Sequence, residues 1–132
     1  MSTTPAFVST ARASTSLVST ANTNRDGTGT IVSLLTGVAA GTRIFEVDCQ
    51  NITAGASTAG MIRLYLSSDS GSTWKLFDEV AMASSTSSAS VKATRVSTLY
   101  TNLILPSASW QLGASTHIAE SCIVTVLGGD LT

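Results

Sequence analysis

The chain is written in short apolar runs separated by Gly, Ser and Thr. Past residue 28 the apolar positions recur every second residue. Residues 42–52 are the clearest case: Phe45, Val47 and Cys49 fall on one face, Glu46, Asp48 and Gln50 on the other. That alternation predicts a half-buried strand. Residues 60–67 repeat it, with Ile62, Leu64 and Leu66 inward against Arg63 and Tyr65. Residues 73–82 return, with Trp74, Leu76 and Val80 opposite Lys75, Phe77 and Glu79. Between these two runs, Ser68-Asp69-Ser70-Gly71-Ser72 is a hairpin loop, so 60–82 is the strongest hairpin in the chain.

The same signals predict strands over residues 28–36, 91–100, 102–105, 110–112 and 117–127. The last places Ile118, Cys122, Val124 and Val126 on one face and Ala119, Ser121, Ile123 and Thr125 on the other. Turns are expected at Asn24-Arg25-Asp26-Gly27, at residues 37–41 and at Gly128-Gly129-Asp130. Residues 83–90 are low-complexity and read as an exposed loop. No stretch has a sustained helical period. The expectation is an all-β, antiparallel β-sandwich of about eight strands, jelly-roll-like.

Residues 1–24 are different. They are rich in Ser, Thr and Ala, with apolar pairs only at Phe7-Val8 and Leu17-Val18. Alone, such a segment does not offset its ordering entropy. It reads as an extended N-terminal arm (1–24) attached to a sandwich domain (25–132). Phe7, Val8, Leu17 and Val18 are its partner-binding residues, docking on a neighbouring subunit or on their own sandwich. In the first case, deleting residues 1–20 leaves the melting temperature nearly unchanged.

Composition sharpens the picture. Only 11% of residues are charged, against about 25% in an average domain, and about a third are Ser or Thr. Such a surface hydrates well but does little to keep molecules apart, which suits packing into an assembly. The net charge is −1, and Lys92 and Arg95 are the nearest approach to a basic run. Nucleic-acid binding is therefore not expected. Residues 1–24 lack a basic start followed by an apolar core, and no apolar run is long enough to span a membrane. Synthesis in a cytoplasm is the expectation.

Candidate chemistry is sparse, and no enzyme, cofactor or metal is expected. Cys49 and Cys122 stand 73 positions apart, so neither belongs to a metal or redox motif. Both fall on inward faces. They read as buried free thiols, with a cross-sheet disulfide as the alternative. His117 is the single histidine, without a G-x-S-x-G elbow for a nucleophile. Glu46 and Asp48, or Asp78 and Glu79, are acid pairs of the kind glycosidases use, but read as solvated strand positions. Asp26, Asp69 and Asp130 sit beside Gly or Ser, where turn hydrogen bonds explain them and calcium-loop spacing is lacking. Gly27-Thr28-Gly29 and Gly128-Gly129 precede no helix and read as turns, not phosphate loops. Trp74, Tyr65, Phe77, Tyr100 and Trp110 could form a sugar platform, but read as core and rim packing.

Three segments together carry a resemblance: Ala21-Asn22-Thr23-Asn24-Arg25-Asp26-Gly27-Thr28-Gly29-Thr30, Thr58-Ala59-Gly60-Met61-Ile62-Arg63-Leu64-Tyr65-Leu66, and residues 114–130 with Ala119-Glu120 and Gly128-Gly129-Asp130. The chain resembles small β-sandwich structural proteins of tailed phages and prophages over residues 21–130. The resemblance implies a virion setting and carries no catalytic residues. The functional expectation is a capsid decoration (cement) protein. It would bind the major capsid protein as a homotrimer on the capsid surface. A receptor- or glycan-binding head or tail fibre module, using loops 53–58, 68–72 and 83–90, is the alternative.

Overall fold

A computed structural model describes residues 8–131. Phe7 lies outside them. Eight strands follow in order: β1 Val8–Val18, β2 Val32–Thr36, β3 Thr42–Asn51, β4 Gly60–Ser67, β5 Lys75–Met82, β6 Arg95–Leu105, β7 Gln111–Thr116 and β8 Cys122–Leu131. They form two antiparallel four-stranded sheets, A in the order β1-β8-β3-β6 and B in the order β2-β7-β4-β5. That strand order is the jelly roll. Only β4 and β5 are successive strands paired in one sheet, which is the expected hairpin; every other connection crosses between sheets.

The core lies between the sheets. Sheet A contributes Ile44, Val47, Cys49, Leu105, Val124 and Val126, and sheet B contributes Leu34, Ile62, Leu64, Leu112 and Ala114, all buried. At about 25 cal/mol per Å2 of apolar surface removed from water, this layer is the main stabilising term.

Four sequence expectations need correction. The first concerns the arm. Residues 8–18 are β1, the edge strand of sheet A, paired with β8 from Val8↔Leu131 to Val18↔Cys122. Val18 is core, only 1% exposed. The inward positions of β1 are Arg12, Ser14, Ser16 and Val18, opposite Gly128, Val126, Val124 and Cys122. Three of those four are polar, so no apolar alternation marks the strand. Two of the three are hydrogen-bonded within the sandwich: Ser14 Oγ donates to the Leu34 carbonyl, and Arg12 to Thr36 O (3.2 Å) and Asp130 Oδ1 (2.9 Å).

The second correction is Phe45. It was expected inward with Val47 and Cys49, but is 38% exposed. A bulge explains it: Ile44 pairs with Gly128 and Glu46 with Leu127, leaving Phe45 as the extra residue. Ile44 takes the inward place. A second bulge on β5 leaves Phe77 extra between Leu76 and Asp78, which is why its alternation breaks.

Third, the end of the chain is redistributed. Residues 95–105 are one strand, not two, and β7 runs to Thr116. His117 to Ser121, expected inside the last strand, form the β7–β8 connection. Fourth, Gly128, Gly129 and Asp130 lie within β8. A Cβ on Gly128 would collide with Arg43 O, and one on Gly129 with the Val8 side chain. These glycines permit close strand approach beside two bulges rather than a turn.

The β1–β2 connection, residues 19–31, lies as a strap across the outside of sheet B. Ala21 bridges to Thr116, and Asn22 N donates to Thr116 O at 2.8 Å. Buried Asn22 donates through Nδ2 to Thr28 O and Thr30 O, 2.9 and 3.0 Å away, closing the strap on itself. Gly27 sits at φ +87°, where a side chain would meet Trp74 O. The strap accounts for Arg63 and Tyr65, which face out of sheet B yet are 6% and 0% exposed.

Candidate functional site

Cys49 and Cys122 are buried free thiols on adjacent strands of the same sheet, not across the sandwich. Cys49 pairs with Val124, and Cys122 with Asn51, so the two are diagonal neighbours. Such positions sit about 7–8 Å apart, beyond the roughly 4.4–6.8 Å between Cα atoms that a disulfide spans. Burial pushes the Cys49 thiol up to about 12, helped by the nearby Cys122, and pushes Cys122 up to about 11. Neither is a nucleophile at neutral pH.

Glu46 and Asp48 share the outer face of sheet A, whereas the pleat puts Asp78 and Glu79 on opposite faces of β5; ion pairs or hydrogen bonds hold Asp48, Asp78 and Glu79. Asp48 lies on the outer face of sheet A and accepts from Arg95 at 2.7 Å. Burial raises its carboxyl, but the neighbouring Ser97, Glu46 and Arg95 outweigh that and hold it below the usual carboxylate range. Asp78 accepts the Tyr100 hydroxyl at 2.8 Å. Glu79, on the opposite face of β5, accepts from Arg63 (3.1 Å) and Arg25 (3.0 Å). Asp26 and Asp69 do organise turns. Asp26 accepts from Thr28 N at 3.1 Å, and Asp69 from Thr73 N and Ser67 Oγ, both 2.8 Å. The hydroxyl and backbone of Thr73 pull the Asp69 carboxyl down to about 2. Asp130 instead ties strands together, accepting from Arg12 (2.9 Å) and Thr42 (2.8 Å). Among the described residues no three His, Cys, Asp or Glu side chains gather as a metal site would require.

His117 opens the β7–β8 connection, beside β4. Its Nδ1 lies 3.1 Å from Arg63 Nη1, which makes it the acceptor, and its backbone N donates to Met61 O at 2.9 Å. Arg63 also donates to Glu79 and reaches Asn22 O at 3.4 Å. This polar cluster fastens the strap to sheet B. The Tyr65 hydroxyl extends it, donating to Asn24 O at 3.0 Å.

The aromatic residues do not form one platform. Tyr65 is buried beneath the strap, and Trp74 packs over Gly113. Phe77 and Tyr100 pair across the β5–β6 seam with centroids 5.5 Å apart. Trp110 and Phe77 line a cleft of about 250 Å3 at the start of β5.

The recognition loops divide likewise. Loops 53–58 and 83–90 are zipped together at one end by the Ala56↔Thr86 bridge, Ser57–Ser85 bonds and Ser87 N to Gly55 O at 3.1 Å. Loop 68–72 is at the other end, where Ser70 N donates to Ser109 O at 2.8 Å.

Sequence reasoning missed the outer face of sheet A. The paired rows run Ala13–Leu127–Glu46–Leu99 and Ala11–Gly129–Arg43–Ile104 across it. Leu99 is 76% exposed and Ile104 44%. Phe45 joins them, with the Arg43 guanidinium 5.1 Å over its ring. Leu17, 52% exposed, stands beside Ile123 at the corner. Polar rows border the apolar ones: Thr15–Thr125–Asp48–Ser97, then Gln50–Arg95. Opposite Phe45, β6 bulges through Tyr100, Thr101 and Asn102, pinned by Arg43 Nη2 donating to Thr101 O at 2.7 Å. The signal for this face is Leu99 and Ile104 lying out of phase on β6, legible only once the β6 bulge is known.

No protein-family model matches the chain, and no curated protein is significantly similar to it.

Proposed function

We propose that this chain is a structural protein of a tailed-phage virion: a decoration protein that clamps the assembled head through the outer face of sheet A. The observation that carries the reading is the exposure of Leu99, Ile104 and Phe45 together on one sheet face, at 76%, 44% and 38%. Apolar surface concentrated on one face of a soluble domain marks a contact surface. An apolar centre with a polar border is the anatomy of a protein interface. The low charge and the resemblance to phage β-sandwich proteins support the same reading.

In this reading the partner is the major capsid protein, and copies associate as a homotrimer at three-fold positions of the shell. The protein is made in the host cytoplasm and resides on the capsid surface, without enzymatic activity and without nucleic-acid or membrane contact. Many identical attachments multiply modest contacts through effective concentration. Purified virions resolved by gel electrophoresis test it. A high-copy band of this chain is expected; its absence overturns the decoration role.

The second reading, a receptor- or glycan-binding head or tail fibre module, is favoured by the aromatic-lined cleft at the start of β5. Low copy number with adhesion to host cells would favour it over decoration.

A further inference from the structure

Where β5 faces β6 the Phe77–Tyr100 pair bridges the seam, but the start of β5 lies open beside Leu66 and Trp110. On β4 the inward residues are Ile62, Leu64 and Leu66. Their β5 partners are Val80, Asp78 and Lys75. The inner face of β5 thus changes from apolar to charged toward its start. Leu66 and Trp110 are left half-buried at the edge of the core there. The result is the half-open cleft of about 250 Å3. Trp110 and Phe77 give it aromatic surface; Ser68, Thr73 and Lys75 give it polar groups.

We propose that this cleft binds a saccharide unit bearing a carboxylate. A pyranose ring has an apolar C–H face and a hydroxylated edge, which suits a site with aromatic surface and a few polar groups. The charge comes from Lys75. Among the described residues it joins none of the salt bridges. The nearby carboxylates are committed elsewhere: Asp69 to Ser67 and Thr73, Asp78 to Tyr100 and to Glu79 N. An unpaired ammonium in a half-enclosed site selects an anion, and the aromatic surface selects one with an apolar face over a simple inorganic ion. The Thr73 hydroxyl gives its proton to Asp69, so its free lone pairs accept from a sugar hydroxyl. The aromatic surface is pre-set, because Phe77 is held against Tyr100, whose hydroxyl is anchored on Asp78. Such preorganisation lowers the ordering cost of binding.

The full chain, applied to an array of uronate- and sialate-bearing oligosaccharides with their neutral counterparts, tests this. Hits are then titrated by tryptophan fluorescence. Binding is expected for acidic saccharides only. It should weaken at least tenfold in Lys75→Met, recover in Lys75→Arg, and weaken in Trp110→Phe. Lys75 is exposed, so its variants keep the fold, which circular dichroism checks. The proposal is overturned if no acidic saccharide binds, if neutral counterparts bind equally, or if Lys75→Met binds like the wild type. Because the readout uses isolated protein and a site centred on Lys75, its failure leaves the head-attachment reading untouched, and the converse holds.

Discussion

Cys49 and Cys122 show what position alone does to a side chain. Both thiols are enclosed by the core, and burial raises them to about 12 and about 11. Neither should react with iodoacetamide at pH 8 in the native protein, and both should react in denaturant. Mass spectrometry counts the labels; native labelling, or a Cys49–Cys122 peptide under non-reducing conditions, would contradict this placement. The turn carboxylates act in the opposite sense. The Asp69 pKa is about 2 folded against an ordinary 3.8. A depressed folded value contributes stability above the unfolded pKa, and that contribution disappears as pH falls through the folded one. The melting-temperature gap between wild type and Asp69→Ala should therefore be widest above pH 4 and narrow toward pH 2. A gap independent of pH would show that the carboxylate charge is not what holds loop 68–72. Asn22 is the polar counterpart, since its buried amide closes the strap. Asn22→Ala strands two carbonyls and should cost about 1 to 3 kcal/mol by denaturant unfolding.

At the scale of elements, β1 is the strand whose status decides most. It covers the length of β8, and Val18 fills the core beside Cys122. Deleting residues 1–18 exposes the β8 edge and should lower the melting temperature by at least about 10 °C or abolish a cooperative transition. An unchanged melting temperature would mean that the sandwich is complete without β1. The strands legible in the sequence were those with one buried and one solvated face. Val47 and Cys49 on β3, and Val124 and Val126 on β8, alternate cleanly because water lies on the other side. Where that condition fails, the pattern fails. Arg12, Ser14 and Ser16 face inward at an edge, so β1 reads as an extended arm rather than a strand of the sandwich. Arg63 and Tyr65 are buried outside their sheet by a strap that no local pattern announces. Phe45 and Phe77 sit in bulges, which shift the phase by one residue and cannot be seen without the partner strand. The candidate chemistry was legible as residue types but not as a site. Trp110 shares a cleft with Phe77 and Lys75 only because β7 pairs with β4, which in turn pairs with β5.

For the whole molecule, the jelly roll divides its surface into unlike parts. The outside of sheet B is covered by its own strap, while the outside of sheet A keeps Leu99, Ile104 and Phe45 in water. In the proposed reading, the low charge and the exposed apolar side chains of sheet A suit a face that a partner covers. For the proposed head attachment, the direct test is to sediment purified phage heads lacking this chain with added wild-type protein or with Leu99→Glu. The substitution lies on a 76% exposed side chain, so it leaves the core intact. The wild type should co-sediment to saturation, and Leu99→Glu should bind at least tenfold more weakly. Equal binding of the two proteins, or no binding by the wild type, would contradict attachment through sheet A.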